Sequence, residues 1–273
     1  MKPALIAVSF GTSYPETRKK TIGAVEEKLA EKYPDLDVFR AFTSNKVIKK
    51  IKEQENVTVL TVDQQMKKLI TEGYKEIYVQ PLHIIPGIEY SKALHQAMRY
   101  KNQLELVKVG KPLLSSIEDY QKVVAWLETM AADLDENEAV VLMGHGSQHS
   151  AFTVYACLDH MLLEKPIFIC AVESYPEISL LIERLKNSRY KKIKLYPLML
   201  VAGDHATNDM ASDEEDSWKS QLEQAGFTVE AHLRGMGEFQ EIQQQFCEHA
   251  AAMMEGSTCL LYTSDAADEL DGV

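Results

Sequence analysis

The sequence predicts an α/β protein with two similar domains, each a parallel sheet flanked by helices, that face each other across a cleft. Three observations lead to this prediction. Short apolar runs alternate with longer segments of helical periodicity, as in strands joined by crossover helices. The second half of the chain repeats the pattern of the first. A polar stretch, DLDENE at 133–138, separates the two halves.

The first half begins with an apolar run at 4–8, which predicts a strand that turns at Gly11. A helix over 16–33 follows, with Ile22, Val25 and Leu29 at helical spacing, and Pro34 ends it. Ser44 is placed to cap a helix that starts near residue 46. The other predicted elements are strands at 36–42, 76–82 and 104–109, and helices at 62–72, 90–100 and 117–130.

The second half starts again with a strand at 139–143, which runs into the turn GHGS at 144–147. A long strand at 192–201 follows later and breaks at Gly203, just before Asp204 and His205. The remaining predicted elements are strands at 166–172 and 227–233, and helices at 151–163, 175–186, 213–224 and 239–254. We expect domains at 1–135 and 136–256, and the closing helix could pack back on the first of them.

The repeat can be followed residue by residue. A spacing of 116 positions separates three pairs of identical residues: Tyr74 and Tyr190, Pro81 and Pro197, and Gly87 and Gly203. Similarly, Phe10-Gly11-Thr12 aligns with His145-Gly146-Ser147. Residues that both halves share are explained by the common fold.

Three residues of the second half depart from the repeat. His145 stands where the first half has Phe10, Glu173 where it has Thr43, and His205 where it has Glu89. All three lie just past the ends of predicted strands, and ligands of open α/β sheets bind at the carboxyl ends of the strands. The departures therefore predict a site that belongs mainly to the second half.

Two imidazoles and a carboxylate suit divalent ions such as Co²⁺, Ni²⁺, Fe²⁺ or Zn²⁺. Each residue also has an ordinary interpretation: a loop histidine is commonly a surface or hydrogen-bonding group, and Glu173 could cap the next helix. His83, before the turn at Pro86-Gly87, could lie behind the ligands. No GxSxG or GxGxxG motif supports an esterase or a dinucleotide site.

Composition narrows the classes of function. A net charge of −12 argues against nucleic-acid binding. Neither a signal peptide nor an apolar run of the ~18 residues needed to span a bilayer is present, so we expect a cytoplasmic protein without a membrane partner. The four cysteines form no CxxC pair, which argues against a zinc knuckle or a disulfide framework. Composition leaves the oligomeric state open, and a homo-oligomer is possible.

Several motifs together resemble one family, the anaerobic-pathway sirohydrochlorin cobaltochelatases, which are class II tetrapyrrole chelatases of cobalamin biosynthesis. The motifs are SFGTSYPET, RAFTS, PLHIIPGIEY, KVGKPLLSS, MGHGSQHSAF, YACLDHM, AVESYPE and PLMLVAGDHATNDMASDEEDSWK. They cover roughly residues 2–254.

The resemblance implies two Rossmann-like domains and insertion of Co²⁺, as the substrate metal, into sirohydrochlorin or precorrin-2 without a nucleotide. It also implies that His145, Glu173 and His205 bind the metal, that His145 accepts a proton, and that Glu89 takes part in the cleft. Two alternatives stay open: the same reaction with Ni²⁺ or Fe²⁺, and a metal or tetrapyrrole carrier without turnover.

The end of the chain has a different character. The stretch CLLYTSDAADE resembles the translation of a transposase-based sequencing adapter. We therefore expect 257–273 to be a non-native tail that packs poorly.

Overall fold

The computed structural model describes residues 2–256, so the predicted tail lies outside the described residues. The first half contains the strands Ala4–Ser9 (β1), Asp37–Phe42 (β2), Glu76–Pro81 (β3) and Leu106–Val109 (β4). The second half contains Glu138–Gly144 (β5), Ile167–Ala171 (β6), Lys192–Leu198 (β7) and Thr228–Ala231 (β8). The strands form two parallel sheets with the orders β2-β1-β3-β4 and β6-β5-β7-β8. The predicted pair of Rossmann-like domains is confirmed.

Helices connect the strands of both sheets. Those of the first half are Pro15–Arg18 (α1), Ala24–Lys32 (α2), Asn45–Glu55 (α3), Val62–Thr71 (α4), Ile88–Met98 (α5) and Ile117–Met130 (α6). Those of the second half are Thr153–Met161 (α7), Ile178–Lys186 (α8), Trp218–Gln224 (α9) and Gln240–Glu255 (α10). None of the helices in the described part of the chain has both the length and the apolar character needed to cross a membrane.

The strand register agrees with the sequence repeat at the prolines. Val8 of β1 pairs with Pro81, and Met143 of β5 pairs with Pro197. At Glu173 the predicted alignment is wrong by one residue. The Ser44 amide donates to the carbonyl of Phe10 (3.4 Å), as the Glu173 amide does to that of His145 (3.0 Å). The counterpart of Glu173 is therefore Ser44 and not Thr43.

Some predicted boundaries are wrong for identifiable reasons. The helix predicted over 16–33 is interrupted by a π-helical segment at Lys19–Gly23. The strand predicted over 192–201 ends at Leu198. Its neighbour β5 ends at Gly144, and the pair of Gly144 with Leu198 is the last between these two strands. The helix predicted over 213–224 begins at Trp218, because the Ser217 side chain caps it by accepting from the Ser220 amide. The Ser44 cap of α3 is confirmed.

The two halves meet through two equivalent contacts, each between a hydroxyl residue of one half and a glycine of the other. Thr12 and Ser147 each follow a glycine with a positive φ, and each lies next to a glycine of the other half. A side chain on Gly203 would begin 3.5 Å from Oγ1 of Thr12, and one on Gly87 would begin 3.8 Å from Oγ of Ser147. Each contact repeats the other about a pseudo-two-fold axis, and the strand ends of both sheets thereby face one cleft.

A continuous hydrophobic core runs through both halves. It includes Phe42 of the first sheet, Leu142 of the second, and Phe246 of α10, all fully buried. Helix α10 follows the second half along the chain, yet it contacts α2 and α6 of the first half. The Tyr33 hydroxyl donates to the carbonyl of Cys247 (2.7 Å) at this contact. The closing helix therefore packs on the first half of the chain.

Candidate metal centre

His145 leaves β5 at its carboxyl end, followed by Gly146 with a φ of +94°. A Cβ at Gly146 would lie 2.9 Å from the backbone nitrogens of Glu173 and Ser174, which no side chain could accept without a shift of that loop. Glycine is thus required for the close approach of the two loops as well as for the backbone conformation. This approach brings the side chains of His145 and Glu173 to the same edge of the sheet.

Glu173 follows β6 and faces the ring of His145. Its Oε2 atom lies 3.7 Å from Nδ1 of His145, and its side chain is 53% exposed. The alternative role considered from sequence, capping the next helix, is wrong, because α8 has Glu177 at its N-cap position. The carboxylate of Glu173 is therefore available at the cleft.

His205 lies further beyond the end of β7 than the sequence predicted, because β7 ends at Leu198. It lies in a short helical turn that starts at Asp204 and continues as a π-helical segment at Ala206–Met210. The Thr207 amide donates to the carbonyl of Gly203 (2.9 Å), as the Ser91 amide does to that of Gly87 (3.0 Å). The backbone thus supports the predicted equivalence of His205 and Glu89.

The two imidazoles meet through their Nε2 atoms, which are 3.0 Å apart. Nδ1 of His145 lies 3.2 Å from the carbonyl oxygen of Gly146, and Nδ1 of His205 lies 2.6 Å from Oδ2 of Asp209. Both partners are acceptors, so the tautomer that satisfies them carries the hydrogen on each Nδ1, and each Nε2 then presents a lone pair. Two lone pairs at this separation repel each other unless a cation or a proton lies between them.

The distances suit a divalent ion. Candidate ligand atoms of His145, Glu173 and His205 all lie within 4.8 Å of one another. Nitrogens bound to one ion at ~2.0–2.1 Å with an angle of roughly 90° are about 3 Å apart, as the two Nε2 atoms are. The exposed carboxylate of Glu173 is the third member of this group. Three protein ligands leave further coordination positions open to an incoming molecule.

Asp209 was not identified from the sequence. It lies one helical turn after His205 and fixes the orientation of that ring through its contact with Nδ1. A histidine and an aspartate four positions apart in DHATND could have indicated the pair, because residues i and i+4 share one face of a helical turn.

Glu89 lies in the first turn of α5, on the first-half side of the cleft. Its Oε2 atom is buried without a hydrogen bond and lies 3.7 Å from Nζ of Lys92. Lys92 also donates to the carbonyl of Thr43. Gly87, two residues before Glu89, packs next to Ser147, two residues after His145. Glu89 is therefore a carboxylate on the same cleft as the two histidines.

His83 lies behind this region, just after β3, where the sequence suggested a supporting position. Both of its ring nitrogens are buried without hydrogen-bond partners. Burial, with a smaller contribution from the charge of Lys92, lowers the pKa of His83 to about 4. This imidazole is therefore neutral at neutral pH.

The other second-half histidines make different contacts. His149 accepts from the Ala151 amide (3.2 Å), and His232 stacks on Tyr196 with ring centroids 4.3 Å apart. His160 is exposed on α7. His249 of α10 contacts Asp119 (2.8 Å). Among the histidines of residues 2–256, only His145 and His205 join Glu173 in the group that could hold a metal ion.

Known proteins resemble this chain over nearly its whole length. A family model described as cobalt chelatase (CbiK) matches residues 3–255. The sirohydrochlorin cobaltochelatase of Salmonella typhimurium is 45% identical over 251 residues, which cover 91% of this chain and 95% of that protein. The sirohydrochlorin cobaltochelatase CbiKC of Nitratidesulfovibrio vulgaris is 30% identical over 256 residues, covering 92% and 90%.

Solved structures share the fold at low sequence identity. SirB from Bacillus subtilis with Fe³⁺ superposes with a TM-score of 0.63 at 16% identity, covering 95% of this chain and 99% of that one. CbiX, described as the terminal enzyme of siroheme biosynthesis in denitrifying bacteria, superposes with a TM-score of 0.53 at 17% identity, covering 92% and 99%.

Proposed function

Since this chain belongs to the cobalt chelatase family, we propose that it inserts Co²⁺ into sirohydrochlorin, with the metal delivered from His145, Glu173 and His205. The observation that carries the proposal is the pair of facing Nε2 lone pairs 3.0 Å apart, with a carboxylate beside them. Co²⁺ is the substrate metal in this reaction, and the ligand set contains no thiolate that would retain it.

The reaction needs a balance of protons. Co²⁺ and the metal-free macrocycle give the cobalt macrocycle and two protons. These protons come from two pyrrole N–H groups. As the pyrrole nitrogens replace the protein ligands, the Nε2 atom of His145 becomes free to accept the first proton. The resulting imidazolium already carries a hydrogen on Nδ1, and the carboxylate of Glu173 is 3.7 Å from that nitrogen. Glu173 therefore stabilises the charge that His145 acquires.

Glu89 is the proposed acceptor of the second proton. Its buried Oε2 atom has no hydrogen bond, so a lone pair is available for a proton. Lys92 lies close enough to stabilise the carboxylate before transfer. Because Glu89 belongs to the first half and His145 to the second, the two acceptors approach the macrocycle from different sides of the cleft.

The test is the absorbance change of sirohydrochlorin when Co²⁺ and the purified protein are mixed without oxygen. We expect insertion to be faster than the uncatalysed reaction, and His145→Ala to abolish the acceleration. His160→Ala, an exposed histidine outside the cleft, is the matched control and should keep full activity. Spectral evidence of binding without any acceleration would instead identify a carrier and contradict the enzymatic proposal.

A further inference from the structure

Lys50 is a half-buried lysine near the cleft that has no acidic partner. Its Nζ atom lies 5.7 Å from the centroid of the Tyr14 ring, within the range of a cation–π contact. Across residues 2–256, no carboxylate comes within ion-pair distance of it. Lys49, the preceding residue, is exposed and pairs with Glu53 at 3.7 Å. The two neighbouring lysines therefore have different environments on the same helix.

Tyr14 connects Lys50 to the candidate metal centre. Its hydroxyl donates to Oδ1 of Asp204 (3.1 Å), on the other side of the cleft. Burial, followed by the hydrogen bond to Asp204, raises the pKa of Tyr14, so the phenol stays protonated. Asp204 directly precedes His205 in the chain. The ammonium group of Lys50 is thus separated from the loop of a proposed metal ligand by one aromatic ring.

Two other basic side chains that contact the cleft loops are already engaged. Arg18 is buried, pairs with Glu55, and donates to the carbonyl of Thr12 (3.1 Å). Lys92 lies between Glu89 and the carbonyl of Thr43. By contrast, the three N–H donors of Lys50 make none of the hydrogen bonds found within residues 2–256. Lys50 is therefore able to bind an added anion without breaking an existing pair.

We propose that Lys50 binds a side-chain carboxylate of the tetrapyrrole at the mouth of the cleft. This inference rests on the proposed function, which makes the substrate a polycarboxylate. The chain carries a net charge of −12, so an anionic substrate needs local positive charge to approach the cleft. Contact with the Tyr14 ring keeps the flexible lysine at the mouth of the cleft, which lowers the entropy cost of forming the ion pair.

The test compares Lys50→Gln with Lys49→Gln, which remove the same charge from adjacent positions. For Lys50→Gln we expect the KM for sirohydrochlorin to rise roughly three- to tenfold, with kcat within about twofold, as for the loss of one partly screened ion pair. Its KM should also depend less on NaCl concentration. Lys49→Gln should match the wild type, and Lys50→Arg should restore most of the affinity.

Equilibrium titration of the protein with metal-free sirohydrochlorin separates this proposal from the proposed function, because it requires no turnover. Weaker, less salt-dependent binding by Lys50→Gln alone would support the carboxylate contact even in an inactive protein. If Lys50→Gln and Lys49→Gln bind and turn over alike in an active enzyme, Lys50 does not bind the substrate. That result would leave the chelatase activity standing.

Discussion

Nδ1 of His205 lies 2.6 Å from Oδ2 of Asp209, one helical turn further along the chain. The contact leaves Nε2 of His205 directed at His145. A carboxylate in this position typically raises the metal affinity of the histidine that it orients. We therefore expect Asp209 to act on the candidate metal centre through the ring of His205.

We expect Asp209→Asn to weaken Co²⁺ binding roughly ten- to hundredfold, because the amide is a poorer acceptor and holds the ring less firmly. Competition with a chromophoric chelator would measure the dissociation constant. Asp213→Asn is the control, since Asp213 is exposed and pairs with Lys219. An equal loss of affinity in both variants would indicate a general effect of charge and rule out a specific role for Asp209.

Glu89→Gln should lower kcat roughly a hundredfold and leave Co²⁺ affinity nearly unchanged, because the amide cannot accept a proton at neutral pH. Glu118 offers a close control: both glutamates are the second residue of a helix that begins with isoleucine. Glu118→Gln should retain full turnover. Normal turnover by Glu89→Gln would remove Glu89 from the reaction.

The pKa of His83, about 4, makes stability depend on pH. The unfolded chain binds a proton below the ordinary pKa of 6.5, whereas the folded protein does not until about pH 4, so stability falls as the pH decreases through this window. For this group we expect a loss of about 2 kcal/mol between pH 7 and pH 5. Urea unfolding at both pH values would measure it.

His83→Leu removes the titrating group and should flatten this dependence. His95→Leu, at an exposed position on α5, should keep it. A pH dependence that is the same in the wild type and in His83→Leu would assign the effect to other groups.

Asp119 is buried and accepts from Nε2 of His249 (2.8 Å) and from Nζ of Lys111 (2.9 Å). Burial alone would raise the pKa of Asp119, but these hydrogen bonds outweigh it and hold the pKa well below its usual range. Asp119→Ala leaves the Lys111 ammonium group without its counter-charge and the buried His249 ring without its acceptor, and we expect it to cost about 3–5 kcal/mol of unfolding free energy.

Chemical denaturation at pH 7 would measure that cost. Asp133→Ala, an exposed position in the polar stretch between the halves, should change stability little. A loss below about 1 kcal/mol in Asp119→Ala would show that the buried cluster contributes little to stability.

The sequence predicted the fold class and most of the candidate site, but not the order of the strands in each sheet. Strand-to-helix alternation and the 116-residue spacing predicted two equivalent sheets, and the repeat singled out His145, Glu173 and His205 as departures. The structure brings these three side chains together. Their roles as ligands stay a prediction for metal-binding measurements, as does the boundary between the two domains.

Other features depend on contacts that sequence pattern does not contain. No local motif marks the π-helical segments at Lys19–Gly23 and Ala206–Met210. The sequence alignment paired Glu173 with Thr43 because it matched the identical serines at 44 and 174. The backbone hydrogen bonds instead make Ser44 the counterpart of Glu173, so that alignment is wrong by one residue. Lys50 belongs to no motif that would assign it a partner, whereas the i,i+4 spacing of His205 and Asp209 is a signal that the sequence does contain.

The core shared by the two halves has a consequence for cooperativity. Because Phe42, Leu142 and Phe246 belong to one continuous apolar interior, separating the halves would expose that interior to water. Wide hinge opening and stepwise melting of one half are therefore both disfavoured, and the protein should unfold in a single calorimetric transition. We therefore expect the cleft to open little when a macrocycle enters it.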